Sequence, residues 1–199
     1  MKELLKKKAP FMAKVFANLI LQGGVAYTAA LQKNPHIARH VLPYTLMFAL
    51  AVLVMIFADL PIQARFILFT IISGLFGSLL TTFRTLDSRI VQETLSDILV
   101  VFASMFALGL VSVQFNVDIL PLAILMFMTL TGLMVARATM SKEKRGSLSK
   151  AFVVLFALYI LVDTNMILQR NYDGDFVDAS FDYFTDLTQI FSGLVPSNI

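Results

Sequence analysis

The stretch YILVDTNMILQRNYDGDFVDASFDYFTDLTQIF, residues 159–191, decides the fold. Two apolar segments flank a short polar turn, and each contains an aspartate, Asp163 before the turn and Asp186 after it. A carboxylate inside a bilayer is costly unless it has a partner or a function. Two acids on consecutive membrane helices are the arrangement of a proton or cation site, and the sequence therefore predicts such a site here.

The composition places the whole chain in the membrane class. Hydrophobic residues make up 58% of the 199 residues and charged residues 15%, and the mean hydropathy is +0.79. A soluble domain of this length does not have such a composition. The net charge is only +3, and its basic residues lie at segment ends, which suits lipid headgroups better than nucleic acid.

The residue types present argue against an enzyme. Cysteine is absent, which excludes disulfides, thiolate metal sites and cysteine nucleophiles. The two histidines, His36 and His40, fall in one polar loop. A nucleophile, a base and a group that orients the base cannot be assembled from this sequence, so we expect no catalytic site.

Seven segments approach the roughly 20 apolar residues that a spanning helix needs. The predicted fold is an all-α, seven-helix transmembrane bundle, and the short linkers leave room for one compact domain. The last segment contains three acids and would insert poorly alone, so it either crosses inside the other six or re-enters. The predicted spans are residues 12–31, 41–60, 66–83, 90–113, 119–138, 150–169 and 178–195.

The direction of insertion stays open because two basic groups conflict. Four lysines within the first eight residues predict an N-terminus on the cytoplasmic side. A second basic group, residues 142–150, follows the fifth span, and seven crossings would place it on the opposite side. Either the topology is unusual or one span is miscounted.

Two C-terminal stretches, LFALYILVDTNMIL (155–168) and NYDGDFVDASFDYFTDLTQIF (171–191), resemble the signature of the transmembrane Bax inhibitor motif family. That family has a Tyr-Asp-Thr-type motif in the sixth helix and a Leu-Tyr-Leu-Asp-type motif in the seventh. Here the motifs are Val162-Asp163-Thr164 and Phe184-Thr185-Asp186. The departures are Val162 in place of the usual Tyr, the short chain, and a basic loop after the fifth helix instead of the fourth.

Other stretches are similar to further helices of the same family. PFMAKVFANLILQGGVAYTAAL (10–31) looks like the opening helix, whereas LFTIISGLFG (68–77) and IVQETLSDILVVFA (90–103) resemble the third and fourth helices more weakly. Together the matching stretches cover about half of the chain.

The resemblance implies a fold in which the last helix lies at the centre of the other six. It also implies a Ca²⁺ leak controlled by two aspartates, which are Asp163 and Asp186 by motif position. The expected location is an intracellular organelle membrane or a bacterial inner membrane, and the expected consequence is modulation of cell death.

The chemistry of two neighbouring carboxyl groups supports this expectation independently. Carboxylates within a few ångströms of each other cannot both ionise cheaply, so they share a proton, and the protonation of the pair becomes a switch. Ca²⁺ prefers six to eight oxygens, so two acids give only a weak site of the kind that conduction requires. We therefore expect no tightly bound cofactor, with Ca²⁺, protons and lipids as partners. Hydrogen-bonding distance between the carboxyl groups of Asp163 and Asp186 is the geometry that proton sharing needs.

Each of these acids also has a simpler interpretation. Asp163 lies about six residues from the end of its span and, without the motif, could reach headgroup water or cap a neighbouring helix. Asp182 lies four residues before Asp186 and so shares its helix face, which makes it a supporting residue or a solvated one.

Three further charged residues are candidates for supporting roles. Glu93 and Asp97, four residues apart, are predicted to face the bundle interior and line the ion path, or else to lie at a solvated helix end. Arg65, at the start of the third span, could form a latch with an aspartate or extend to the membrane interface.

Two functions follow from the sequence. The first is a pH-sensitive Ca²⁺ leak channel. The second is a non-conducting structural or interaction subunit of a larger membrane assembly, which the short loops and the altered charge pattern favour. A measurement of Ca²⁺ flux discriminates between them.

Overall fold

The chain is helical throughout its regular secondary structure. The structure, a computed structural model, describes residues 2–32, 40–80, 88–115, 118–139, 145–169 and 174–194. Within these residues there are seven α-helices and no strands, which confirms the predicted all-α class and helix count. The helices are α1, Lys2–Leu31; α2, Val41–Phe57; α3, Ile62–Leu80; α4, Ser88–Gln114; α5, Leu120–Thr139; α6, Arg145–Gln169; and α7, Phe176–Leu194.

Four helical segments of the described residues are long and apolar enough to cross a membrane. They are Lys6–Leu31, Ile62–Leu80, Ser96–Gln114 and Lys150–Gln169. The apolar stretches of α2 and α5, Val41–Phe57 and Leu120–Ala136, are shorter. Helix α7 is not among the four, since it carries three aspartates in 19 residues. These lengths and compositions are those of a membrane protein, whereas seven crossings and the central position of α7 stay predictions.

Aspartate side chains cap the first turns of α5 and α7. The Asp118 carboxylate accepts a hydrogen bond from the Leu120 backbone nitrogen at the start of α5. The Asp175 Oδ1 accepts two, each 3.0 Å long, from the backbone nitrogens of Val177 and Asp178 at the start of α7. Both carboxylates accept hydrogen bonds from backbone N–H groups of a first helical turn that would otherwise be unpaired. Gly174, with a φ of +83°, makes the turn into α7 in a conformation that favours glycine.

The chain divides into two compact units. The N-terminal unit comprises Ala9–Leu86 and Tyr172–Phe181, and the C-terminal unit comprises Met1–Lys8, Asp87–Asn171 and Asp182–Ile199. The boundary in α7 therefore falls between Phe181 and Asp182. The sequence predicts one domain and gives no sign of this division.

The N-terminal unit joins α1, α2, α3 and the beginning of α7. Helices α2 and α3 pack against each other, with the rings of Phe48 and Phe76 centred 6.3 Å apart. Helices α1 and α3 approach closely at Gly77, where a Cβ atom would collide with the Ala26 carbonyl group. Small residues allow such contact between membrane helices because they let the backbones meet.

The C-terminal unit is organised around α6, which packs against α4 and α5. Its buried apolar cluster lies between α5 and α6, where Met126 packs with Leu155 and Val162. The polar residues of α6 instead contact α4 and α7. They include Asp163 of the candidate site.

Candidate functional site

Asp163 on α6 and Asp186 on α7 are in direct contact. Their carboxyl groups form a hydrogen bond with each other, although the two residues are 23 positions apart in the sequence. Asp186 is 4% exposed and Asp163 is half-buried. Two ionised carboxylates have no hydrogen to donate, so a bond between them needs a proton on one of the two acids. No N–H or hydroxyl group of the described residues donates to the buried Asp186 Oδ2, so this oxygen is open to the proton that the two acids share.

The surroundings of the pair are acidic. Asp182, one turn before Asp186 on α7, interacts electrostatically with it, and Tyr159 of α6 interacts with both members of the pair. Carboxylate and phenol oxygens concentrated in this way favour a cation or a proton and repel an anion. Within the part of the chain that the structure describes, there is no group of three or more His, Cys, Asp or Glu residues able to hold a metal ion. Two carboxylates alone supply fewer oxygens than the six to eight that Ca²⁺ prefers, so they would hold such a cation weakly.

A second hydrogen bond joins α6 and α7 beside the aspartate pair. The Tyr183 hydroxyl and the Thr164 Oγ1 are 2.9 Å apart, and both residues are fully buried. The Thr164 hydroxyl donates to the Ile160 carbonyl oxygen at 2.7 Å, so Tyr183 is the donor in the bond between the two side chains. Sequence reasoning missed this bond, although the position of Thr164 next to Asp163 was a signal.

Helix α4 supports α6 at the same level. A Cβ atom at Gly109 would lie 2.6 Å from the Thr164 Cβ, so the Thr164 side chain fills the space that glycine leaves. The Asn165 Nδ2 donates to the Ser112 Oγ at 2.7 Å, and Ser112 in turn donates to the Gly109 carbonyl oxygen at 2.7 Å. The Phe102 ring meets the Tyr183 ring edge to face at 5.3 Å. These contacts from α4 hold the residues of α6 and α7 that lie beside the candidate site.

The other predicted supporting residues do not join the pair. Asp97 is exposed, and the prediction that it faces the bundle interior is wrong. The neighbouring Ile98 is buried, and Asp97 lies about 100° around the helix from it, outside the buried face of α4. Glu93 lies in α4, but its side chain is outside the described residues.

Arg65 forms ion pairs in the N-terminal unit. Its Nη1 lies 3.0 Å from the Asp175 Oδ2 and 3.5 Å from the Asp178 Oδ1, which joins the beginning of α3 to the beginning of α7. Of the two interpretations of Arg65, a pairing with an aspartate is the one that these contacts fit. Its partners are residues of the polar turn and the first turn of α7, which the sequence analysis did not single out for this role.

The N-terminal unit also contains a buried polar cluster that sequence reasoning missed. The Asn18 Nδ2 donates to the Ser180 Oγ at 2.5 Å, and the Gln22 Nε2 donates to the Asn18 Oδ1 at 3.2 Å and the Thr70 Oγ1 at 3.1 Å. Asn18 and Gln22 are both buried. Two amides four residues apart in an apolar helix share one face, and this spacing was the available signal.

Comparison with known proteins does not assign a family to this chain. No model of a known protein family matches the chain, and no curated protein matches it.

Proposed function

We propose that this chain is a multi-pass membrane protein that lets Ca²⁺ leak across an organelle or bacterial inner membrane, with the protonation of Asp163 and Asp186 as the gate. The observation that carries the proposal is the hydrogen bond between the carboxyl groups of the half-buried Asp163 and the buried Asp186. The resemblance to the Bax inhibitor motif family supports it, because the family's leak is controlled by aspartates at these two motif positions. The seven crossings, the central last helix and an effect on cell death belong to the same proposal.

The shared proton closes the gate by holding α6 to α7. When the proton leaves, two negative charges face each other at hydrogen-bonding distance in surroundings of low dielectric constant, where their repulsion is far stronger than in water. Separation of the two side chains relieves that repulsion, and the conformation with separated acids becomes more populated. Flux is therefore expected to rise with pH.

The same change creates a place for a divalent cation. Two ionised carboxylates attract Ca²⁺, but they supply only part of the six to eight oxygens that it prefers, and water must supply the rest. An ion held in this way leaves again readily. Weak, partly hydrated binding is what a conduction site needs.

Flux from liposomes tests this function against the alternative of a non-conducting assembly subunit. The purified protein is reconstituted with a Ca²⁺ indicator inside the vesicles, and the rate of Ca²⁺ entry is compared with that of protein-free vesicles. We expect a leak well above the protein-free rate, with a smaller leak from a variant in which both Asp163→Asn and Asp186→Asn are present. A rate equal to that of protein-free vesicles at every pH would reject the channel and favour the assembly subunit.

A further inference from the structure

We infer that the Tyr183 hydroxyl is a positioning group that keeps α7 in register on α6, so that the Asp186 carboxyl group stays hydrogen-bonded to that of Asp163. This inference rests on the proposed function only in that the aspartate pair is taken as the gate. The geometry of the two neighbouring bonds between α6 and α7 carries it.

The two bonds act at the same level of both helices. On α6 the bonded residues, Asp163 and Thr164, are adjacent in sequence. On α7 they are Tyr183 and Asp186, three residues and hence less than one turn apart, on the same side of the helix. A slide or rotation of α7 that breaks one bond would also displace the other.

The direction of the Tyr183 bond is fixed by its partner. Since Thr164 donates its only hydroxyl hydrogen to the Ile160 carbonyl oxygen, Thr164 can only accept from Tyr183. Loss of the phenol hydrogen therefore removes the bond, and no rotation of the Thr164 hydroxyl replaces it without giving up the bond to Ile160. Both side chains are fully buried, so water does not take over as the partner.

Thr164 is itself held in place from α4. The Thr164 side chain fills the space beside Gly109, and the neighbouring Asn165 is bonded to Ser112. Thr164, the acceptor of the Tyr183 bond, is thus held by contacts with α4 as well as by its own helix, α6. Because Thr164 is fixed, its hydrogen bond with the Tyr183 hydroxyl sets the register of α7 on α6.

The charged and ionisable side chains that act on the pair come from both helices. Asp182 and Tyr183 on α7 and Tyr159 on α6 all interact with it electrostatically. The Tyr183→Phe substitution leaves Asp182 and Tyr159 unchanged and retains the ring that packs against Phe102. Its effect therefore isolates the hydroxyl.

The infrared spectrum of the protein in lipid, recorded at one fixed pH, tests the inference without any flux measurement. The carbonyl stretch of a protonated carboxyl group moves with the strength of its hydrogen bond, and the band of the pair is identified by its loss in Asp163→Asn and in Asp186→Asn. We expect Tyr183→Phe to move this band to the position of a weaker hydrogen bond. Thr164→Val, which removes the acceptor with little change of shape, is expected to move it in the same direction.

The double variant and two controls sharpen the result. Because Tyr183→Phe and Thr164→Val remove the same bond, the double variant is expected to shift the band no further than either single variant. The controls Tyr27→Phe and Thr131→Val change exposed residues of α1 and α5 and are expected to leave the band unmoved. Retention of the helical circular dichroism spectrum shows that each variant is folded, and Thr164→Val provides the test if Tyr183→Phe does not fold.

A band at the wild-type position in both Tyr183→Phe and Thr164→Val would overturn the inference, as would the absence of the band from the wild-type protein. A shifted band in a protein that does not leak would leave the inference standing and reject the proposed channel. A Ca²⁺ leak together with an unshifted band in the variants would reject the inference and leave the proposed channel standing.

Discussion

Gly109 on α4 packs directly against Thr164 on α6, where the two helices approach closely. A Cβ atom at position 109 would lie 2.6 Å from the Thr164 Cβ and 3.0 Å from the Leu161 carbonyl oxygen. Neither atom belongs to the far end of a flexible side chain, so the helices would have to move apart to accept a methyl group. This close approach sets how near α4 comes to the residues beside the aspartate pair.

Gly109→Ala is therefore expected to destabilise the protein by about 1–3 kcal/mol, the usual cost of overpacking. Gly132→Ala is the matched control, since a Cβ there meets nothing within 4 Å. Alanine at an open helical position is expected to be neutral or to stabilise by about 0.5–1 kcal/mol. Unfolding in mixed detergent micelles, followed by circular dichroism, measures both, and equal free energies of unfolding for the two variants would contradict the packing described.

The hydrogen bond between Asn18 and Ser180 joins α1 to the beginning of α7 in the N-terminal unit. Ser180→Ala leaves the buried Asn18 amide without this acceptor, and we expect a loss of about 0.5–1.5 kcal/mol, which is typical of polar contacts between membrane helices. Ser192→Ala is the control on the same helix, because Ser192 is exposed and bonds only within its own helix in the described structure. The same unfolding measurement tests this prediction. A Ser180→Ala variant as stable as Ser192→Ala would show that the hydrogen bond between Asn18 and Ser180 contributes nothing to stability.

Asp175 has two roles that a single substitution separates. Asp175→Asn keeps the Oδ1 that accepts from the first turn of α7, but it removes the charge that faces Arg65. Because Asp178 also lies near Arg65 and both charges are partly exposed, we expect a loss of no more than about 1 kcal/mol, which shrinks as salt is added.

Asp118→Asn is the matched control for the ion pair. Asp118 likewise accepts from a backbone nitrogen at a helix start, and it is exposed. Melting temperatures at low and high salt should differ from wild type in a salt-dependent way only for Asp175→Asn. A salt-independent loss would assign the effect to the helix cap instead of the charge.

The sequence predicted the parts of this structure that depend on local chemistry. Apolar length predicted most of the helices, because an apolar run of this length in a membrane protein satisfies its backbone N–H and C=O groups as a helix. The spacing of Asp163 and Asp186 on either side of a polar turn predicted two acids on consecutive helices, and the structure brings their carboxyl groups together.

The parts that escaped prediction depend on the rotation and packing of helices. Asp97 was expected inside and is exposed, since Thr94 and Ile98 take the buried face of α4. An apolar helix with few polar residues gives a weak indication of which side faces its neighbours. The bond between Tyr183 and Thr164 escaped for the same reason, because it depends on the register of two helices and on the gap left by Gly109.

The pH dependence of Ca²⁺ entry into liposomes that contain Asp186→Asn tests the central claim most directly. An asparagine cannot ionise, yet its amide can donate to the Asp163 carboxylate at any pH, so the closed contact should persist. Between about pH 5 and about pH 9, a range in which carboxyl groups titrate when burial and a neighbouring acid raise their pKa, we expect the wild-type rate to rise. The Asp97→Asn control, at an exposed position, should rise in the same way, and Asp186→Asn should give a low rate that does not change with pH. A rate in Asp186→Asn that rises with pH as steeply as in the wild type would contradict the account.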